Sequence, residues 1–185
     1  MRILLIMVLM FFSTVKFADG EIYFEVEEHP IADPLPPDPI YLFMERIAQI
    51  ESGGSYEALN RLGFMGRYQF SPRTVKYLGY TVSEDQFLNN PQLQDSIMVA
   101  YMKHNDEFLD QYIEEFDGTT LNGIVLNRAA ILAGAHFAGG TGMRRYLLSH
   151  GETTTVDSNG MEIRKYIESF SDINMPRIHY AQGEQ

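Results

Sequence analysis

No cysteine occurs in the 185 residues. Disulfides, thiolate nucleophiles and Cys-ligated zinc are thereby excluded, and the core alone must hold the fold. Positive charge is also scarce: 14 Lys and Arg stand against 25 Asp and Glu, a net charge of −11. Neutralising phosphates takes clustered basic residues, so no nucleic-acid partner is expected. His29, His104, His136, His150 and His179 are scattered without ligand spacing. The sequence therefore implies no metal and no other cofactor. Period-two alternation of any length is missing after residue 40, and no internal repeat is found. What is present suits one domain with a real core: 45% of the residues are hydrophobic and 12% aromatic.

The N-terminus has its own character. Residues 3–12 are an unbroken apolar run behind Arg2. That run is too short to span a bilayer as a helix but suits the core of a signal peptide. Ala18-Asp19-Gly20 offers small residues where a signal peptidase reads, so residues 1–20 are expected to be a signal with cleavage after Gly20. An uncleaved membrane anchor and a buried N-terminal helix are the alternatives. The protein is expected to be exported, to a periplasm or beyond the cell. Residues 21–39 are acidic and rich in proline (Pro30, Pro34, Pro36, Pro37 and Pro39). They read as an extended tether, able to dock on a cell-envelope protein. The folded domain spans 40–170, with a polar tail over 171–185, and a monomer is expected.

Helical spacing dominates from residue 40. The pattern predicts helices over 40–51, 72–78, 83–88, 90–106, 107–116, 121–137, 139–149 after a glycine-rich turn, and 158–170. Leu93, Ile97, Ala100, Tyr101 and His104 are assigned to one face of the fourth. Residues 52–70 carry Gly53, Gly54, Gly63 and Gly66 and read as a loop or small irregular sheet. The fold class is all-α or mostly α, with at most a small irregular sheet.

One residue breaks the pattern of the first helix. Ile40, Phe43, Met44, Ile47 and Ile50 form its apolar stripe, and Glu51, four after Ile47, falls on the same face. Apolar neighbours and the negative end of the helix dipole both favour the neutral carboxyl. A carboxyl that keeps its proton near neutral pH is what a general acid needs. Downstream, Gly66-Arg67-Tyr68-Gln69-Phe70 combines a glycine that admits close approach, two flat aromatic faces and an amide that both donates and accepts. That mix suits a sugar bearing an N-acetyl group.

Glu51-Ser52-Gly53-Gly54, followed by Gly66-Arg67-Tyr68-Gln69-Phe70, resembles the lysozyme-like superfamily. The soluble lytic transglycosylases, goose-type lysozymes and resuscitation-promoting factors are its most similar branches. Asn90-Pro91-Gln92-Leu93-Gln94-Asp95 is similar to the helix that leads to the back of that family's cleft. Ala135-His136-Phe137-Ala138-Gly139 is similar to its Ala-Tyr-Asn-Ala-Gly block, with His136 in place of the tyrosine and Phe137 in place of a substrate-contacting asparagine. Tyr166 matches the late-helix tyrosine that approaches the catalytic acid. The resemblance covers residues 40–170 and implies a lysozyme-like domain with a cleft. It implies Glu51 as catalytic acid, and Ser52, Tyr68, Gln69, Phe70, His136, Phe137 and Tyr166 as substrate-binding. For His136 and Tyr166, a packed core role is the alternative.

The activity so implied is that of a peptidoglycan lytic transglycosylase, a lyase of the cell wall. It would cleave the bond between N-acetylmuramic acid and N-acetylglucosamine with one carboxyl. A hydrolytic lysozyme or chitinase-like glycosidase would need a second carboxylate, for which Glu57, Asp85, Asp95 and Asp157 qualify by type. A non-catalytic peptidoglycan-binding protein on the same fold is the remaining class.

Overall fold

The computed structural model describes residues 14–18, 21–25, 38–157 and 160–178. The apolar run 3–12, the cleavage point at Gly20 and most of the proline-rich tether lie outside the described residues. So do Ser158 and the tail from residue 179. The chain divides into two units, Met1–Pro36 and Pro37–Gln185. In the first, β1 (Thr14–Ala18) and β2 (Glu21–Glu25) pair antiparallel, from Thr14 opposite Glu25 to Ala18 opposite Glu21. This pairing was not anticipated from the sequence, although Val15, Phe17, Ile22, Tyr23 and Phe24 are residue types that favour extended backbone.

The second unit is mostly helical. It runs α1 (Pro39–Ser52), α2 (Pro72–Tyr77), α3 (Glu84–Leu88), α4 (Pro91–Phe108), α5 (Asp110–Phe116), β3 (Thr120–Leu121), β4 (Ile124–Val125), α6 (Arg128–Leu148) and α7 (Ile163–Glu168). Among the described residues, no helix is long and apolar enough to cross a membrane.

The helix ends are written in the sequence. Asp38 caps α1 through Ile40 N (2.8 Å), with Pro39 in the first turn where its missing N–H costs nothing. Gly53 closes α1 in the left-handed conformation (φ 64°), and the N–H groups of Gly53 and Gly54 return to Gln49 O and Ala48 O. Ser71 caps α2, Ser83 and Gln86 form a reciprocal capping box on α3, and Asn90 caps α4. In the loop between α1 and α2, the isolated bridges Leu59–Met65 and Met65–Phe70 supply the small irregular sheet region expected there.

The core is built from Phe43 and Ile47 of α1, Ile97 and Met98 of α4, Ile131 of α6 and Ile163 and Ile167 of α7, all fully buried. The first half of α6 is rich in small residues, which lets α7 pack closely. A Cβ on Gly134 would strike Met143 and lie 3.1 Å from Ile167.

Several sequence expectations shift. Residues 120–125 form the β3–β4 hairpin rather than the start of a helix, turned at Asn122-Gly123 with both residues at positive φ (51° and 82°). Asn-Gly between short apolar pairs is the strongest short-range hairpin cue, and the apolar run masked it. The buried side of α4 is Gln94, Ile97, Met98, Met102, Asn105 and Asp106. Leu93, Ala100, Tyr101 and His104 are only half-buried. The helix packs polar side chains inward because each finds a partner, as Asp106 does in its ion pair with Arg128. The expected turn at Gly139 is a kink (φ 72°, ψ 156°) within α6, and α7 is shorter than predicted. Ile173, Met175 and Ile178 are buried, so the segment read as a polar tail packs onto the core at least to residue 178.

Candidate active site

Glu51 stands in the last turn of α1, one residue before the chain leaves the helix. The apolar stripe is rotated from the predicted one. Phe43, Ile47 and Ala48 are buried, Ile50 turns outward at 40% exposed, and Glu51 lies between core and solvent with 23% of its side chain exposed. Its Oε1 accepts a 2.7 Å hydrogen bond from the Tyr166 hydroxyl of α7 and lies 3.8 Å from His136 Nε2 of α6. Burial raises the pKa of this carboxyl. The Tyr166 hydrogen bond pulls it back down, and the negative charge of Asp157 adds to the rise.

Two hollows meet at this carboxyl. The larger, about 710 Å³, is walled also by Ile50, Arg61, Met161, Lys165 and Tyr166. The smaller, about 300 Å³, adds Phe64 and His136. Glu51, Asn60, Leu62, Gln69, Phe137 and Asp157 line both, so the hollows are two lobes of one groove with the acid at their junction. Leu62 and Phe64, 68% and 37% exposed, give the rim an apolar edge. Apolar rings beside a few convergent polar groups are the usual lining of a small-molecule or sugar site.

The sequence-predicted residues separate into two sets. Glu51, Gln69, His136, Phe137 and Tyr166 come together at the groove. Gln69 holds a left-handed backbone (φ 50°), a strained state for a non-glycine residue, and its Nε2 donates to Gly66 O at 2.9 Å. Phe137 packs on the Tyr166 ring at 5.1 Å.

Ser52, Tyr68 and Phe70 do not line the groove, which corrects their assignment as substrate contacts. Ser52 Oγ donates to Arg67 O (2.8 Å) and Ala48 O (3.2 Å), pinning the end of α1 to the glutamine turn. Tyr68 is 2% exposed because its hydroxyl is spent on Asp95 (2.7 Å). Phe70 is a buried spacer, edge-on to Tyr101 at 5.4 Å and His136 at 5.8 Å. All three shape the site from behind its walls.

Asn60, Arg61, Leu62 and Lys165 were missed. Asn60 carried a usable signal: its Oδ1 accepts from Leu62 N and Phe64 N, the self-capping of a turn that asparagine favours. Among the four carboxylates considered as partners, only Asp157 lines the groove. Asp95 is bonded to Tyr56 and Tyr68, and Asp85 to Asn89.

His136 stands apart electrostatically. Burial pushes it down to about 4, and a hydrogen bond with the Tyr68 backbone pulls only partly the other way. An imidazole lowered from 6.5 binds fewer protons folded than unfolded, so its share of stability is lost as pH falls from 6.5 toward 4. We expect that loss to reach about 3 kcal/mol at the acid end, and His136→Gln to remove it. Urea titrations of both proteins at pH 7 and pH 4.5 check this. Parallel losses in the two would show that His136 is not the titrating group.

No protein-family model, curated protein or solved structure matches the chain. The functional reading therefore rests on the site.

Proposed function

We propose that the chain is a peptidoglycan lytic transglycosylase acting through Glu51. The observation that carries the reading is a half-buried carboxyl, held proton-rich by burial, at the junction of two groove lobes. Protonated Glu51 donates to the oxygen between N-acetylmuramic acid and N-acetylglucosamine, and the C1–O bond breaks with its electron pair leaving on that oxygen. Positive charge at C1 is met by the substrate's own N-acetyl group. The Glu51 carboxylate, steadied by the Tyr166 hydroxyl, then takes the proton of the muramyl 6-hydroxyl as that oxygen bonds to C1. The product is a 1,6-anhydro end, and the acid is regenerated. Export of the chain to the wall belongs to the same proposal.

Digestion of purified peptidoglycan followed by mass measurement tests it. Anhydro-ended muropeptides are expected. Reducing ends, heavier by one water, would make the enzyme a hydrolase. Binding of glycan strands without release would make the chain a non-catalytic binder and end the proposal.

Asp157 gives the hydrolase reading a concrete form, since it is a second carboxylate on the same groove. The variant Asp157→Asn separates the two. In the transglycosylase the aspartate only adds to the rise in the Glu51 pKa, so its loss moves the alkaline limb of the activity profile to lower pH and leaves the anhydro product. In a hydrolase it abolishes turnover. Tyr166→Phe should move the same limb the other way, because the lost hydrogen bond had favoured the ionised carboxyl. A pH profile of each variant reads both shifts.

A further inference from the structure

The Glu51 groove does not exhaust the concave surface of the domain. A separate cavity of about 340 Å³ opens between α2, α4 and the kink of α6, lined by Arg73, Tyr77, His104, Phe108 and Thr141 among others. Its character differs from the acidic chain around it. No Asp or Glu lines it, although the net charge is −11. Arg73 makes no ion pair or hydrogen bond with any described residue. Beside it runs an aromatic ladder that starts at Tyr77, on the same helix α2. Tyr77 sits edge-on to His104 at 5.2 Å, the His104 and Phe108 rings lie near-parallel at 6.4 Å, and the Arg144 guanidinium covers Phe108 at 5.6 Å. Tyr77 and Phe108 are 69% and 40% exposed, so their rings stand open to a ligand.

Two segments of the chain contribute to both the cavity and the Glu51 groove. The turn that puts Gln69 in the groove runs straight on to Arg73 and Thr74 in the cavity. The segment that puts His136 and Phe137 in the groove continues to Gly139, Gly140 and Thr141 in the cavity. Tyr101 ties the two, lining the cavity while its hydroxyl donates to Ala135 O and its ring packs edge-on against His136. Cavity and groove are thus neighbours along both segments and through the Tyr101 contacts, without sharing a lining residue.

We infer that this cavity binds a carboxylate of the peptide carried by the wall glycan, with Arg73 as its charge partner and Tyr77, His104 and Phe108 as the apolar floor. A guanidinium with no partner among the described residues matches a carboxylate in a two-point fork. The ring ladder suits the side chains next to it. The inference rests on the peptidoglycan reading for the source of the carboxylate.

The test uses the full chain carrying Glu51→Gln, labelled with ¹³C and followed through its Tyr and Phe ring signals. Three probes are titrated: a free stem tripeptide, the same tripeptide with its carboxylates amidated, and chitotetraose. The free tripeptide is expected to shift the Tyr77 and Phe108 signals. Amidation of the peptide, or Arg73→Gln, should each weaken binding about tenfold, the scale of a lost charge-assisted hydrogen bond. Arg164→Gln, an exposed cation away from the cavity, should leave it unchanged. Equal binding of the amidated peptide, or no loss with Arg73→Gln, overturns the inference. So does chitotetraose shifting Tyr77 and Phe108 where the peptide does not, because the cavity would then extend the sugar groove. Peptide binding that stands while peptidoglycan goes uncleaved by the wild-type chain would sink the transglycosylase reading alone.

Discussion

Glu51→Gln is expected to abolish muropeptide release while making the folded protein more stable at pH 7. The two effects share one cause. A glutamine at this position still accepts the Tyr166 hydroxyl at its Oε1, so the contact between α1 and α7 survives. It cannot give up a proton, and general acid catalysis of this kind supplies on the order of 10² to 10⁴ in rate. A loss of at least about 10³-fold is expected. The stability gain follows from the direction of the pKa shift. A carboxyl whose pKa is raised on folding holds more protons folded than unfolded, so stability falls as pH rises from the ordinary value of 4.5 through the folded pKa. At pH 7 the wild type carries that penalty and the glutamine variant does not; below pH 4.5 the difference disappears. Thermal melts at pH 7 and pH 4 with parallel muropeptide assays read both limbs. The assignment would be falsified if the variant kept activity within a factor of ten or melted lower than wild type at pH 7.

Glu51 is legible in the sequence because it violates a local rule that α1 otherwise obeys. A carboxylate at a core-facing position needs no tertiary information to be noticed. The helix caps at Asp38, Ser71, Ser83 and Asn90 are of the same local kind: each is satisfied by residues within three of itself. What could not be read was which chemically suitable residue would be consumed inside the fold. Tyr68 and Phe70 have sugar-binding faces, yet Asp95 captures the Tyr68 hydroxyl and Tyr101 and His136 enclose Phe70. These partners lie tens of residues away, where periodicity is silent. Asp157 is the converse case. It was one acid among four until the chain beyond α6 carried it to the groove. The β3–β4 hairpin is a different failure, in which local apolar character was allowed to outweigh the Asn122-Gly123 turn cue.

Gln94→Leu is expected to destabilise the fold by about 3–5 kcal/mol, the largest stability effect of any single substitution proposed. Gln94 is fully buried, and its side chain is fully engaged. Oε1 accepts from Arg67 N at 2.8 Å, while Nε2 donates to Tyr56 O and to Phe87 O, each at 2.9 Å. This one amide thus ties α3 and α4 to both ends of the loop that delivers Asn60, Leu62 and Gln69 to the groove. Leucine has nearly the same volume, so no cavity term enters and the cost is that of Arg67 N and Tyr56 O left without partners, Phe87 O keeping the Asn90 N–H at 3.2 Å, offset in part by the apolar gain. The packing around it is too tight for adjustment: a Cβ on the neighbouring Gly66 would collide with the Gln94 amide and lie 2.8 Å from Phe87. Urea midpoints at an unchanged slope would measure the loss. Gln94→Glu serves as the second arm, keeping the acceptor for Arg67 N but removing the donor to Tyr56 O and Phe87 O, and it should also be severe. If both variants unfold within 1 kcal/mol of wild type, a figure below the ~1–3 kcal/mol cost of even one orphaned buried group, then Gln94 does not anchor the loop. The placement of Gln69 beside Glu51 would then need another cause. If they fall as expected, the groove depends on a residue that no substrate reaches.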